Sequence, residues 1–245
     1  DLVHKKNATV VKLNKIKLNY ENKSIRKNKS LEGVNIISSL SSKLRTEYKF
    51  ENEILSFQSF NSKLSNNNIN YKGKLNLDPF DLTINIDLEK INLKKLLDTN
   101  SILFSFIKSG LLFNNNISSN IYLNSAYISN HKLFNNLKLN FIMQNGNINF
   151  DNSQFSLDKI GLITLKKSKL FKKNDKIIFN GDFNLNLSNA DKFFSFMQTP
   201  KNKRRLIKNI YFNIKFDILN NRLYLNNFEI DDLKKNIETT NIIDN

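Results

Sequence analysis

The sequence predicts a mainly β fold, a long antiparallel meander with two short helical insertions, and three observations carry that prediction. Apolar residues recur at every second position over many short segments, the period of a strand with one buried face. Turn chemistry separates those segments, most clearly at Asn145-Gly146 and Asp78-Pro79. Helical spacing is confined to a few places, without the strand-and-long-helix alternation that marks a parallel α/β sheet.

The clearest stretch runs from Lys176 to Ile230. Ile177, Phe179, Gly181, Phe183, Leu185 and Leu187 share one strand face, and Ile210, Phe212, Ile214, Phe216 and Ile218 share another. Asn220-Asn221 then turns the chain into Leu223, Leu225, Phe228 and Ile230. Between the two strands a short helix is expected from about Ser188 to Met197. Ser188 and Asp191 have capping-box spacing, and Phe193, Phe196 and Met197 fall on one face. A basic turn follows, containing Lys201, Lys203, Arg204 and Arg205.

Taken in order, residues 1–45 form an N-terminal segment with little clear pattern. Val11 to Tyr20 suggests one strand with a bulge at Lys15, Glu21 to Ser30 a polar loop, and Leu31 to Leu44 either a strand or a short helix. The main domain is expected over residues 46–235. Tyr48 and Phe50 lead through Leu55 and Phe57 to Ile69, Tyr71, Gly73, Leu75 and Leu77, then to Phe80, Leu82, Ile84, Ile86 and Leu88. Pro79 fixes the intervening turn because it cannot donate to a central ladder. Asn92 can cap a helix carrying Leu93, Leu96 and Leu97, and a second apolar turn from Ile102 to Ile107 can end on Gly110. Strands resume at Ile121 and Leu123, then at Leu137, Leu139, Phe141 and Met143, and return through Ile148, Phe150, Phe155, Leu157, Ile163 and Leu165. Residues 236–245 form a polar tail. One internal echo stands out, since the segments beginning at Tyr71 and Phe179 share aromatic-x-Gly-x-apolar-Asn-Leu.

The formal net charge is +16, which could attract an anionic partner. The same chain has only three Ala and five Arg and is crowded with Lys and Asn, the bias expected of AT-rich coding. On strands the aromatic residues take apolar-face positions and do not interleave with lysines as stacking platforms, which argues against a nucleic-acid partner. Cysteine is absent, so neither a disulfide nor a thiolate metal site is available. His4 and His131 lie far apart, and no phosphate loop, nucleophile elbow or His-Glu-x-x-His pattern occurs. These features predict a protein that is not an enzyme and needs no cofactor or metal.

Many one-sided strands side by side make a wide apolar face, which a protein must cover. A sandwich, a closed barrel and a trough around an apolar guest all satisfy that need, and periodicity leaves sandwich and trough open.

The strand from Phe179-Asn180-Gly181 to Leu187, the helix start Ser188-Asn189-Ala190-Asp191-Lys192-Phe193-Phe194, the turn Gln198-Thr199-Pro200 and the hairpin from Ile210 to Ile230 together carry a resemblance. They resemble the C-terminal region of the AsmA-like family, the superfamily that also includes TamB and YhdP. The resemblance implies a meander curled into an open apolar β-groove, like a folded taco, that holds phospholipid acyl chains. It also implies a periplasmic protein tethered to the inner membrane of a Gram-negative bacterium by an anchor outside this chain. Lipid transport, envelope integrity and other envelope proteins as partners follow from the same source. On that reading Leu139, Phe141, Phe179, Phe183, Leu185, Phe212, Ile214 and Phe216 line the groove, and Lys201, Lys203, Arg204 and Arg205 could contact a headgroup. The alternative is a β-sandwich structural or adhesion module without a lipid ligand.

Overall fold

Strand alternation is realised along nearly all of the chain. A computed structural model describes residues 2–3, 7–13, 16–39, 41–96, 101–129, 133–231 and 233–235. It is mainly β, every described strand pairing is antiparallel, and the helices are short. The chain divides into two units, residues 1–90 with 118–124, and residues 91–117 with 125–245. This division differs from the expected boundary near residue 45, because the long strands before that point pair directly with those after it.

The first unit opens with β1 (Leu2–Val3), β2 (Asn7–Leu13), β3 (Ile16–Lys27) and β4 (Ser30–Ser39). Glu21 to Lys27, expected as loop, therefore belongs to a long strand, and the turn is confined to Asn28 and Lys29. Polar composition misled here because this part of the sheet satisfies its face with hydrogen bonds. Tyr20 Oη donates to Asn35 Oδ1, and Tyr48 Oη donates to Asn22 Oδ1, each at 3.1 Å. The single strand expected from Val11 to Tyr20 is two, β2 and β3, paired antiparallel with Leu13 opposite Ile16; Lys15 itself, with His4, Leu97, His131 and the tail 236–245, lies outside the described residues.

The sheet continues through β5 (Ser42–Glu51), β6 (Ile54–Ser59), β7 (Ser62–Leu64), β8 (Asn67–Leu77) and β9 (Phe80–Ile91). Here Leu44, Tyr48, Phe50, Leu55, Phe57, Ile69, Tyr71, Leu75, Leu82, Ile84 and Ile86 are buried or half-buried. Lys43, Glu47, Lys49, Lys72, Lys74, Asp81, Asn85 and Asp87, on the opposite face, are exposed.

After β9 the chain forms α1 (Leu93–Leu96) and α2 (Ile102–Ser109). Asn92 Oδ1 accepts the Lys95 N–H at 3.0 Å, and Gly110 ends α2 with a left-handed φ of 78°, as the capping residues predict. β10 (Ser118–Ile128) follows. The second unit is then built on β11 (Phe134–Gln144), β12 (Asn147–Asn149), β13 (Gln154–Leu157), β14 (Gly161–Lys173), β15 (Lys176–Leu187), α3 (Ala190–Phe196), β16 (Asn209–Asp217), β17 (Arg222–Ile230) and β18 (Leu233–Lys235).

Register shifts interrupt this sheet at three places, the first where Asn136 and Leu137 on β11 stand opposite Phe155 alone. Lys167 and Ser168 on β14 stand opposite Gly181 alone, and Asn226 on β17 is an extra residue opposite the Asn213, Ile214 step of β16. The β14 bulge is supported by Asp151, whose Oδ1 accepts from both Ser168 N at 2.6 Å and Ser168 Oγ at 2.9 Å. A β-carbon on Gly181 would lie 2.9 Å from the Phe179 ring and 3.0 Å from Ser168 Cβ, so the bulge and the ring fill the space that Gly181 leaves.

Candidate functional site

The second unit orders its apolar side chains in rows that cross the strands. Leu165, Phe183, Phe212 and Phe228 are direct cross-strand neighbours, as are Ile163, Leu185, Ile210 and Ile230, and again Leu170, Phe179, Phe216 and Leu223. Ile214 and Leu225 pair between the first and third of these rows.

Two packed clusters occupy this face. One centres on Leu157, Ile160, Ile163, Leu165, Leu185, Ile207 and Ile210 and is covered by Phe193 and Phe194 of α3. The other centres on Ile107, Met143, Ile148, Leu170 and Ile177 and is covered by Leu103 of α2 with Leu112 and Phe113 beyond it. A ladder of rings joins them, Phe141, Phe150, Phe179, Phe183 and Phe212, with successive centroids 5.3, 5.9, 6.2 and 5.1 Å apart.

All eight residues expected to line a groove therefore share the apolar side of one sheet, but they have different surroundings. Leu185 is 5% exposed and belongs to the packed core. Phe141, Phe179, Phe183 and Phe212 are half-buried ring-ladder members, and Phe183 stacks on Phe212 with an interplanar angle of 1°. Leu139, Ile214 and Phe216 are half-buried and belong to neither cluster, as are Leu223 and Leu225. Sequence reasoning missed Phe150 and Phe228, which lie on the ladder and in the Phe212 row, although the period-two pattern had already placed both on apolar faces.

The helix beside this face differs in detail from expectation. Its N-cap is Asn189, whose Oδ1 accepts the Lys192 N–H at 2.9 Å, while Ser188 Oγ donates to the Ile160 carbonyl at 3.1 Å. Phe193 and Phe194 make the core contacts, and Phe196 and Met197 are exposed. Starting the helix at Ala190 shortens it, and the pattern Phe193, Phe194 matches the sheet better than Phe193, Phe196, Met197.

Lys201, Arg204 and Arg205 line a cavity of about 660 Å³ with Ala190, Asp191 and Leu206, whereas Lys203 is not in its wall. Arg204 is the ordered member. Its Nε donates to the Thr199 carbonyl at 3.0 Å, and its Nη1 lies 4.0 Å from Asp191 Oδ1.

The opposite side of the second unit holds a polar group of Asp182, Asn213, Asn226 and Tyr211. Asn213 Nδ2 donates to Asp182 Oδ1 at 2.7 Å, and Asn226 Nδ2 donates to Asn213 Oδ1 at 2.7 Å. Burial, followed by the hydrogen bond with Asp182, pushes the Tyr211 hydroxyl up to about 12. No group of three or more His, Cys, Asp or Glu suited to a metal ion occurs among the described residues, and no described helix is long and apolar enough to cross a membrane.

Fold and site together define a mainly β, antiparallel protein that presents a phenylalanine-rich sheet face flanked by a small basic cavity. Comparison with family models, curated proteins and solved structures finds no match.

Proposed function

We propose that this chain is a non-enzymatic envelope protein that holds phospholipid acyl chains against the apolar face of its second unit. One observation supports the reading above others. Ile214, Phe216, Leu223 and Leu225 form a contiguous apolar strip that is half-exposed and packs in neither cluster. Acyl chains suit such a strip, because it is flat, aliphatic and aromatic, and free of hydrogen-bonding groups. The Lys201, Arg204 and Arg205 cavity is suited to a headgroup phosphate, since guanidinium groups bind it through paired donors. Periplasmic location and an inner-membrane anchor outside this chain complete the proposal and rest on the family resemblance.

The test is lipid extraction and mass spectrometry of the natively purified chain. Ile214→Asp and Phe216→Asp should each remove co-purifying acyl lipid while leaving the circular dichroism spectrum unchanged, and Lys169→Gln should retain the lipid. Native protein that carries no acyl lipid, and takes none from vesicles, sinks the proposal. The second reading, a structural module with no ligand, draws on the stacked Phe183 and Phe212 rings, which fill part of the face with protein itself.

A further inference from the structure

The first unit carries a groove on the face opposite its aromatic residues. Strand register places Ser24, Gly33, Tyr48, Phe57, Gly73 and Ile84 in one row across six strands. The flanking rows are Lys23, Val34, Glu47, Gln58, Lys72 and Asn85 on one side, and Ile25, Glu32, Lys49, Ser56, Lys74 and Thr83 on the other. A cavity of about 1180 Å³ is lined by both flanking rows and by the central row from Ser24 to Gly73.

Alternation directs the two flanking rows to one side of the sheet and the central row to the other. Tyr48 and Phe57 therefore point away from the cavity, and their rings lie over Gly33 and Gly73. A β-carbon would fall 2.6 Å from Tyr48 Oη at Gly33 and 2.6 Å from Phe57 Cζ at Gly73. The groove thus has a backbone floor between two side-chain walls, running at right angles to the strands. Six strands at about 4.8 Å spacing give it a length of roughly 24 Å, and rows two residues apart stand about 7 Å from each other. Those dimensions suit one extended chain.

The wall chemistry narrows what that chain could be. Lys72 and Lys74 face each other across the Gly73 floor, both exposed, and neither has a carboxylate partner among the described residues. The groove wall beside them is neutral and hydrogen-bonding, Ser56, Gln58, Thr83 and Asn85, and the next positions on the same face of β9 are Asp81 and Asp87. Further along, Glu32 and Glu47 interrupt the wall beside Lys23 and Lys49, the latter paired with Glu51 at 2.7 Å. Glu32 is held by Lys27 at 2.9 Å and Glu47 by Gln58 at 3.1 Å, which leaves acceptor capacity on both carboxylates. A uniformly anionic polymer would meet repulsion there, and an acyl chain would find the walls broken by charge. A ligand rich in hydroxyl donors, with an acidic group spaced along it, satisfies both ends.

We infer that this groove binds a linear acidic glycan, with a sugar carboxylate between Lys72 and Lys74 and hydroxyls donating to Glu32 and Glu47. The site is separate from the proposed acyl-chain face and does not depend on it. Isothermal titration of the full chain in about 0.15 M salt, where exposed charges are partly screened, tests it with hexagalacturonate, neutral maltohexaose and polyphosphate. Hexagalacturonate should bind tightest, and K72Q/K74Q should raise its Kd roughly tenfold, the sum expected of two exposed charge contacts. Replacing Lys43 and Lys63, exposed lysines outside the groove, should leave that Kd unchanged. Absence of hexagalacturonate binding, equal or tighter binding of polyphosphate, or an unchanged Kd in K72Q/K74Q would each overturn the inference.

Discussion

The Phe183 and Phe212 rings lie 5.1 Å apart and parallel within 1°, directly opposite each other on β15 and β16. If that stack is a cohesive part of the fold, the two rings must stabilise each other beyond the area each one buries. Truncating either to alanine removes a half-buried ring, and about 2–3 kcal/mol of destabilisation is expected, below the range for fully buried phenylalanine. The stack itself should appear as coupling of about 1 kcal/mol, so that the double variant loses less than the two single variants added together. Each kcal/mol corresponds to a Tm shift of roughly 2–4 °C for a domain of this size. Urea denaturation read by circular dichroism and tyrosine fluorescence gives the cycle, since the chain has seven Tyr and no Trp to obscure them. Coupling within about 0.3 kcal/mol of zero would show that the rings are neighbours without being partners, and would refute a cohesive ladder.

Three further outcomes are expected. Tyr211, pushed up to about 12 by burial and Asp182, should give a late phase in an ultraviolet titration, and Tyr211→Phe should remove that phase. Because its folded value lies above the unfolded one, its contribution is complete below about pH 10 and is lost as pH rises toward about 12; a stability profile flat over that window would contradict this. Asp231 has the opposite sign. The backbone N–H groups of Asn209 and Lys208, each 2.8 Å from its Oδ1, hold its carboxyl below the usual range, so its contribution is present above the unfolded value and lost as pH falls through the folded one; Asp231→Asn should flatten the acid limb of a Tm profile. Gly73→Ala should destabilise by about 1–3 kcal/mol, with only part recovered by Phe57→Leu, because the new β-carbon would meet the Thr83 carbonyl at 2.6 Å as well as the ring; full recovery would place the whole clash at the ring.

The parts of the fold that were legible in the sequence are those where one period governs a whole strand. Ile210 to Phe216 and Leu82 to Leu88 read correctly because every second side chain meets the same face. β3 was legible from Ile16 to Tyr20, where apolar residues alternate, and not from Glu21 to Lys27, where the inward Asn22 is satisfied by a hydrogen bond from Tyr48 and the alternation is lost. The bulges were only half legible. On β14 the apolar positions change parity from Ile163 and Leu165 to Leu170, and on β17 from Leu223 and Leu225 to Phe228 and Ile230. Such a slip can be seen in sequence, but it has no structural meaning until the neighbouring strand is known. The basic cavity was partly legible, because a run of cations marks a turn without saying that Lys203 would point elsewhere than Lys201, Arg204 and Arg205. The Lys72 and Lys74 groove left no sequence signal, since its walls are assembled by register across six strands.

The β14 and β17 bulges fall at one level, in line with Gly181 and Ile214. On one side of that line lie Leu165, Phe183, Phe212 and Phe228, and on the other Leu170, Phe179, Phe216 and Leu223. The line is therefore expected to act as a seam between two blocks, and Phe150 and Phe179, the two rings that touch both clusters, bridge it. Backbone amides along it should exchange with deuterium ahead of those on either side, and one block should be able to loosen while the other stays closed. A single sheet can in this way have two opening free energies, set by where its extra residues were inserted.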